Sequence, residues 1–427
     1  MTDARPMGSH ASGRAAPRLS GFVIILIATA VAGAISYVVT ILVPNRVGPA
    51  LYVPFAVFWS SIYLVVGALG GIQQEVTRGT HPLAIGSPAR VSRTRNFGVV
   101  TGLSAFALVI ATAPLWVSAV FPSERWSLVW PLAVGVASFV MVAVLAGSLY
   151  GVAAWVPIAL MISVDALLRL IGLAIALSFT TDVVVLAWAV ALPFPLTLVV
   201  LWPFIRRSIV GRSQLDVGYR ALSWNVARTI VAATATGIMV SGFPLMLGLT
   251  SHSVPRALQG MFVLSITLTR APLIVVALSL QSYLVVQFRN HVEHFWRQFL
   301  GLIGLVVSGG VVLAIGGWLL GPPIYALISP TGPQPDGAFF AILVGSSVLV
   351  AALCITAPAL LARSQHLLYT AGWVVAAVVT IVALVLPLDF PTRIITALVA
   401  GPMVGLLVHG TALVTHALRS RRARVGR

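Results

Sequence analysis

The chain has no lysine, and its single cysteine is Cys354. A lone cysteine inside an apolar run leaves nothing to pair for a disulfide framework and no CxxC metal site. Acidic residues number only nine, and all charged residues together make up 8% of 427, against about 25% in a typical soluble domain. No Walker A sequence appears, which excludes nucleotide hydrolysis by the chain itself. A serine elbow, a carboxylate dyad and an Asp-rich motif for metal-assisted glycosyl transfer are also missing. His291, Glu293 and His294 lack HExxH spacing and any supporting cluster, so no metal, cofactor or catalytic residue is expected.

Apolar residues are what the chain has in abundance, at 59%. Runs of roughly 20 recur to the C-terminus, each long enough to cross about 30 Å of hydrocarbon. Twelve spans are expected, near 19–43, 50–71, 97–120, 128–149, 152–178, 183–205, 221–249, 258–288, 299–320, 338–361, 368–388 and 394–416. The first run is too long for a signal-peptide core and has no small-residue cleavage site after it, so it reads as a retained helix. Asn45–Pro49, Phe121–Glu124, Gly321-Pro322-Pro323 and Thr331–Gly337 read as turns between spans.

All 26 basic residues are arginines, and their placement sets the expected orientation. Nineteen fall on the side of the N-terminus, of the loops after the second, sixth, eighth and tenth spans, and of the tail. Arg46, Arg125, Arg256 and Arg393 fall on the other side. That bias puts both termini in the cytoplasm of a multi-pass protein of the cytoplasmic membrane. With no folded basic domain to hold a duplex, the net charge of +17 reads as topology and excludes nucleic acid as a partner.

The chain also repeats itself. At an offset of 207, Ala50-Leu51-x3-Phe55 matches Ala257-Leu258-x3-Phe262, and Gln74 falls on Gln281. The expected organisation is a polar N-terminus (1–18), two six-helix lobes (19–213 and 214–418) related in parallel, and a basic tail (419–427).

A charge placed within the bilayer is costly and usually functional. Four lie inside spans: Asp165 and Arg169 in the fifth, Arg228 in the seventh and Arg270 in the eighth. Asp165 and Arg169 are spaced i, i+4 and can neutralise each other, as a structural or an ion-linked pair. Arg228 lies roughly 10 Å into its span, within snorkelling reach of the arginine-rich side. Arg270 lies roughly 18 Å deep and has no acid nearby in sequence, so it is expected to line a hydrated cavity. Asn225, one turn before Arg228, joins these as a candidate substrate contact. Four Gly-x3-Gly pairs, at 67/71, 98/102, 317/321 and 401/405, are expected to bring helices close.

The segment Gly48–Ile62 (GPALYVPFAVFWSSI) and the helix end Gly71–Arg78 (GIQQEVTR) resemble the second-helix region of polysaccharide exporters. These belong to the multidrug/oligosaccharidyl-lipid/polysaccharide (MOP) superfamily. Thr269-Arg270-Ala271-Pro272 with Leu280-Gln281 is similar to the matching eighth helix. The resemblance implies an all-α membrane fold of two six-helix lobes around a cationic cavity, lined mainly by the first, second, seventh and eighth helices. It also implies a flippase for a polyprenyl-pyrophosphate-linked glycan, working by alternating access among membrane lipids. A coupling cation or the membrane potential would be its energy source. Arg270, Arg228 and Asn225 would hold the pyrophosphate headgroup. One departure is the loop Tyr150–Trp155, which lacks the basic residue of the family pattern. Two alternatives remain open at this point: an ion-coupled multidrug antiporter on the same fold, and a membrane glycosyltransferase or polysaccharide polymerase.

Overall fold

The computed structural model describes residues 21–82, 93–123, 126–210, 213–215, 218–290, 293–363 and 365–425. Thirteen helices run through them: α1 (Gly21–Gly79), α2 (Arg93–Val120), α3 (Trp126–Gly151), α4 (Trp155–Phe179), α5 (Val183–Ala191), α6 (Pro193–Ile209), α7 (Tyr219–Val240), α8 (Phe243–Thr250), α9 (Arg256–Asn290), α10 (Phe295–Ile328), α11 (Gly337–Leu361), α12 (His366–Leu384) and α13 (Phe390–Val425). Among the described residues, nine helical stretches are long and apolar enough to cross a membrane, and one bent pair makes a tenth. α1 alone holds two spans. Its 59 residues would reach about 88 Å if straight, and the backbone breaks at Gly48 (φ 75°, ψ 167°), a conformation glycine adopts without a Cβ clash. With α1 divided there and α9 included, each expected span overlaps one helix, except the sixth, which is split over α5 and α6, and the seventh, which is split over α7 and α8. The chain is a multi-pass membrane protein.

The helix boundaries depart from expectation where tertiary burial continues past an apolar run. The second span continues from 71 to Gly79 because Ile72 and Val76 are fully buried, which keeps one helix face in the core. Gly321-Pro322-Pro323 does not end the ninth span, since α10 runs through it to Ile328. Tyr325 and Ile328, 1% and 5% exposed, anchor that last turn. Between the fourth and fifth spans the chain turns at Gly151–Ala154, with Ala153 in the left-handed region at φ 55°. Three of the nine acids sit at helix starts: Asp182 accepts from the Val184 amide, Asp336 from Phe339 and Asp389 from Thr392. That use stabilises helix N-termini and leaves few carboxylates for chemistry.

The fold is not wholly helical. β1 (Thr80–Pro82) and β2 (Ser213–Leu215) pair antiparallel, Thr80 opposite Leu215, and tie together the loops that follow the second and sixth spans. The helices pack in two groups, α1–α6 and α7–α13, which meet chiefly where α1 touches α7, α8 and α9. Small residues permit that seam. Gly67 lies against the Gly237 backbone, and a Cβ on Gly71 would stand 3.1 Å from the Thr229 methyl. The other three Gly-x3-Gly pairs also sit at helix contacts, against α3, α11 and α12. At the arginine-poor end, polar contacts cross the seam: the Asn45 amide to the Ile328 carbonyl (3.0 Å) and Arg256 to the Ser123 hydroxyl (2.7 Å).

Candidate functional site

The seventh span is broken in its interior. α7 ends at Val240, α8 begins at Phe243, and their axes bend by 74°. Ser241-Gly242 makes the corner and Pro244 lies in the first turn of α8, where its missing N–H costs nothing. Helix ends leave backbone groups without intrahelical partners, and in a bilayer such groups must be satisfied internally. Two side chains from other helices do this. The Ser60 hydroxyl, on α1, donates to the Ser241 carbonyl and accepts from the Leu245 amide (3.2 Å), so one residue serves both sides of the break. Arg270, on α9, donates from Nη2 to the Met239 carbonyl at 3.5 Å. The Met239 sulfur lies 3.5 Å from the Thr380 hydroxyl of α12, so Met239 is held at both backbone and side chain.

Arg270 is 5% exposed. Its guanidinium carbon sits 5.8 Å from the centre of the Phe243 ring, and its Nε has no partner among the described residues. It is therefore sealed between α7, α8 and α9 in this conformation, where the sequence led us to expect a hydrated wall. The long bond to Met239 is a weak one. Arg228 lies on α7, but its side chain is outside the described residues. Its backbone stands eleven residues before Met239, about 16 Å down the helix axis. The two arginines are therefore not side by side. Asn225 is half-buried one turn further along, its carbonyl accepting from the Thr229 hydroxyl at 2.9 Å.

Asp165 and Arg169 meet in a two-pronged ion pair on α4, at 2.9 and 3.0 Å. The Arg169 Nε also donates to the Val190 carbonyl (3.3 Å), and its guanidinium lies 5.5 Å from the Tyr63 ring centre and 5.0 Å from that of Phe194. Every face of this cation is thus occupied, and both carboxylate oxygens are engaged. Tyr63 ends an aromatic ladder on α1, stacked 4.7 Å from Trp59, which in turn lies 5.8 Å from Phe55.

Sequence reasoning missed two residues of this seam, Ser60 and Glu75, and the helix break that Ser60 serves. Ser60 looked like one more helix hydroxyl. The break it serves had a signal, Gly242-Phe243-Pro244, inside what read as one continuous span. Glu75 lies past the expected end of its span at 71. On the extended α1 it accepts from the Thr229 hydroxyl at 3.2 Å and pairs with Arg78 at 2.9 Å, so a carboxylate joins α1 to α7.

Comparison with known proteins bears on this geometry. The chain is 30% identical to the uncharacterized protein Rv3630 of Mycobacterium tuberculosis over 413 residues, 96% of each chain. It belongs to the family of Rv3630. No family model matches the sequence. Among solved structures, an inward-facing multidrug resistance MATE family transporter of the MOP superfamily superposes with a TM-score of 0.63 at 14% identity, covering 92% of this chain and 98% of that one. A MOP superfamily transporter from Pyrococcus furiosus, described as having a binding pocket of reversed polarity that suggests a different function, gives 0.59 at 16%, covering 93% and 95%. The Rv3630 family member described here therefore has the MOP transporter fold.

Proposed function

We propose that the chain is a flippase that carries a polyprenyl-pyrophosphate-linked oligosaccharide, or a related anionic glycolipid, across the cytoplasmic membrane by alternating access between its two six-helix lobes. The observation that carries this reading is Arg270. A guanidinium offers five donors in a planar fork and stays charged under all physiological conditions. Buried at mid-span with one 3.5 Å bond and an unpartnered Nε among the described residues, it is under-satisfied there in a way that a two-pronged phosphate contact would correct. Arg228 and Asn225, about three to four turns further along α7, would contact the headgroup at a different stage of its passage.

The fold's solved neighbours favour a second reading, a cation-coupled multidrug antiporter of the MATE type. That mechanism wants an acid free to exchange a proton or a metal cation. Asp165, the acid deep in a span, already has both oxygens engaged by Arg169, which supports the anionic cargo instead. An enzyme reading, as glycosyltransferase or polymerase, wants a large outer loop, and the extension of α10 shortens that connection to residues 329–336. The deciding experiment is transport by the purified protein in vesicles, offering a pyrophosphate-linked glycolipid and a cationic dye as separate cargoes.

The arginine bias orients the lobes with both termini in the cytoplasm. Reporter fusions at Arg90, Arg212 and the C-terminal tail are expected to report a cytoplasmic location, and a fusion at Gly332 an extracytoplasmic one. A cytoplasmic signal at Gly332 would contradict the helix order of the second half.

A further inference from the structure

We infer that Arg270 is a two-position side chain: it holds the broken end of α7 when the site is empty and releases it to hold the headgroup when the site is filled, with Ser60 as the residue that reads the difference. The inference rests on the anionic cargo proposed above and adds how that cargo would move the protein.

Three observations lead to it. The break at Ser241-Gly242 lies on the seam between the two helix groups, because Ser60 of α1 bonds to both of its sides. The end of α7 at that break depends on Arg270, whose Nη2 reaches the Met239 carbonyl, while the ring over which its guanidinium sits is Phe243, the first residue of α8. One side chain therefore touches both arms of the bent span. Its grip is poor, at 3.5 Å with Nε unpartnered among the described residues. A buried cation so weakly held is readily captured by a stronger acceptor. When an anionic headgroup takes the guanidinium, the Met239 carbonyl and the Phe243 ring both lose their partner. The two arms are then free to change their angle, and the Ser60 bridge, which fits only the bent geometry, opens with them. A ligand shifts such an equilibrium only through contacts that differ between its two states, and the exchange of partners at Arg270 supplies that difference.

The first measurement leaves Ser60 and Arg270 intact and reads the seam beside them. The Val57 side chain stands 2.8 Å from where a Cβ on Gly248 of α8 would be, so Val57→Cys with Gly248→Cys, in a Cys354→Ala background, reports whether α8 is seated on α1. Without ligand the pair is expected to cross-link rapidly on oxidation. Saturating geranylgeranyl pyrophosphate is expected to slow this on the order of tenfold, whereas geranylgeraniol leaves it unchanged. Arg270→Ala in the same background is expected to cross-link at one rate with or without the probe. Ser60→Ala is expected to slow cross-linking without the probe and to leave probe binding intact. If the double-cysteine variant does not accumulate, Val57→Cys alone, buried in this conformation, is expected to gain maleimide reactivity when the probe is added. Probe binding to the wild type, measured by thermal shift, with unchanged cross-linking would overturn the switch and leave the anionic site standing. Failure of the probe to bind the wild type would overturn both.

Discussion

Arg270→Ala is expected to abolish glycolipid transport in reconstituted vesicles while the protein still inserts and accumulates. The residue is buried, at 5% exposure, and its partners among the described residues are one distant carbonyl and one aromatic ring. Removing it takes away a poorly satisfied buried charge together with a long, weak bond to the Met239 carbonyl, so the cost to folding is about 1–3 kcal/mol. Hydrogen bonds between charged groups are worth about 1.5–3 kcal/mol each. Losing a two-pronged contact with pyrophosphate should therefore lower transport by about two orders of magnitude or more. Arg270→Lys is expected to restore only part of it, since an ammonium keeps the charge but not the fork. Equal transport by wild type and Arg270→Ala at equal accumulation would show that the residue serves the helix break alone.

The second large effect is on stability, and it is asymmetric. Asp165→Ala leaves the Arg169 guanidinium, 4% exposed, with no carboxylate. Breaking a buried ion pair in this way costs about 3–5 kcal/mol. Arg169→Ala is expected to cost less, because the Asp165 side chain is 24% exposed and can take up water or a proton. The double variant Asp165→Leu/Arg169→Met is expected to recover most of the loss. It is also expected to transport near the wild-type rate, because the headgroup reading gives the pair a structural role. Thermal denaturation in detergent separates the three variants. A stable double variant that no longer transports would instead assign Asp165 to ion coupling.

How much of this could be read from the chain depends on whether the cause was local. The spans were legible because apolar length is a local property, and so was the Asp165–Arg169 pair, because i, i+4 spacing fixes it within one helix. The depth of Arg270 was equally legible from its distance to either end of its span. Its partner was not, because that partner is a backbone carbonyl exposed by a break in another helix, 31 residues upstream. The break itself was masked by the unbroken hydropathy of residues 221–249, although Gly242 and Pro244 stood within it. Glu75 was hidden for the opposite reason. Gln73, Gln74 and Glu75 end the apolar run, so hydropathy stops the span at 71, whereas the burial of Ile72 and Val76 against the core carries the helix to Gly79. Ser60 carries no sequence signal, since a serine that bonds its own helix and one that bonds across to another helix look alike.

The central claim, a cationic mid-membrane site for an anionic lipid headgroup, is tested most directly by transport with the purified wild-type protein. Vesicles carrying a fluorescent polyprenyl-pyrophosphate disaccharide in both leaflets are treated with a membrane-impermeant quencher, with and without the protein, and a cationic dye is offered to parallel vesicles. The account predicts that the protein carries the protected inner-leaflet glycolipid out to the quencher and leaves the dye where it is. Dye movement driven by a proton or sodium gradient, with the glycolipid left in place, would contradict it and establish the antiporter reading.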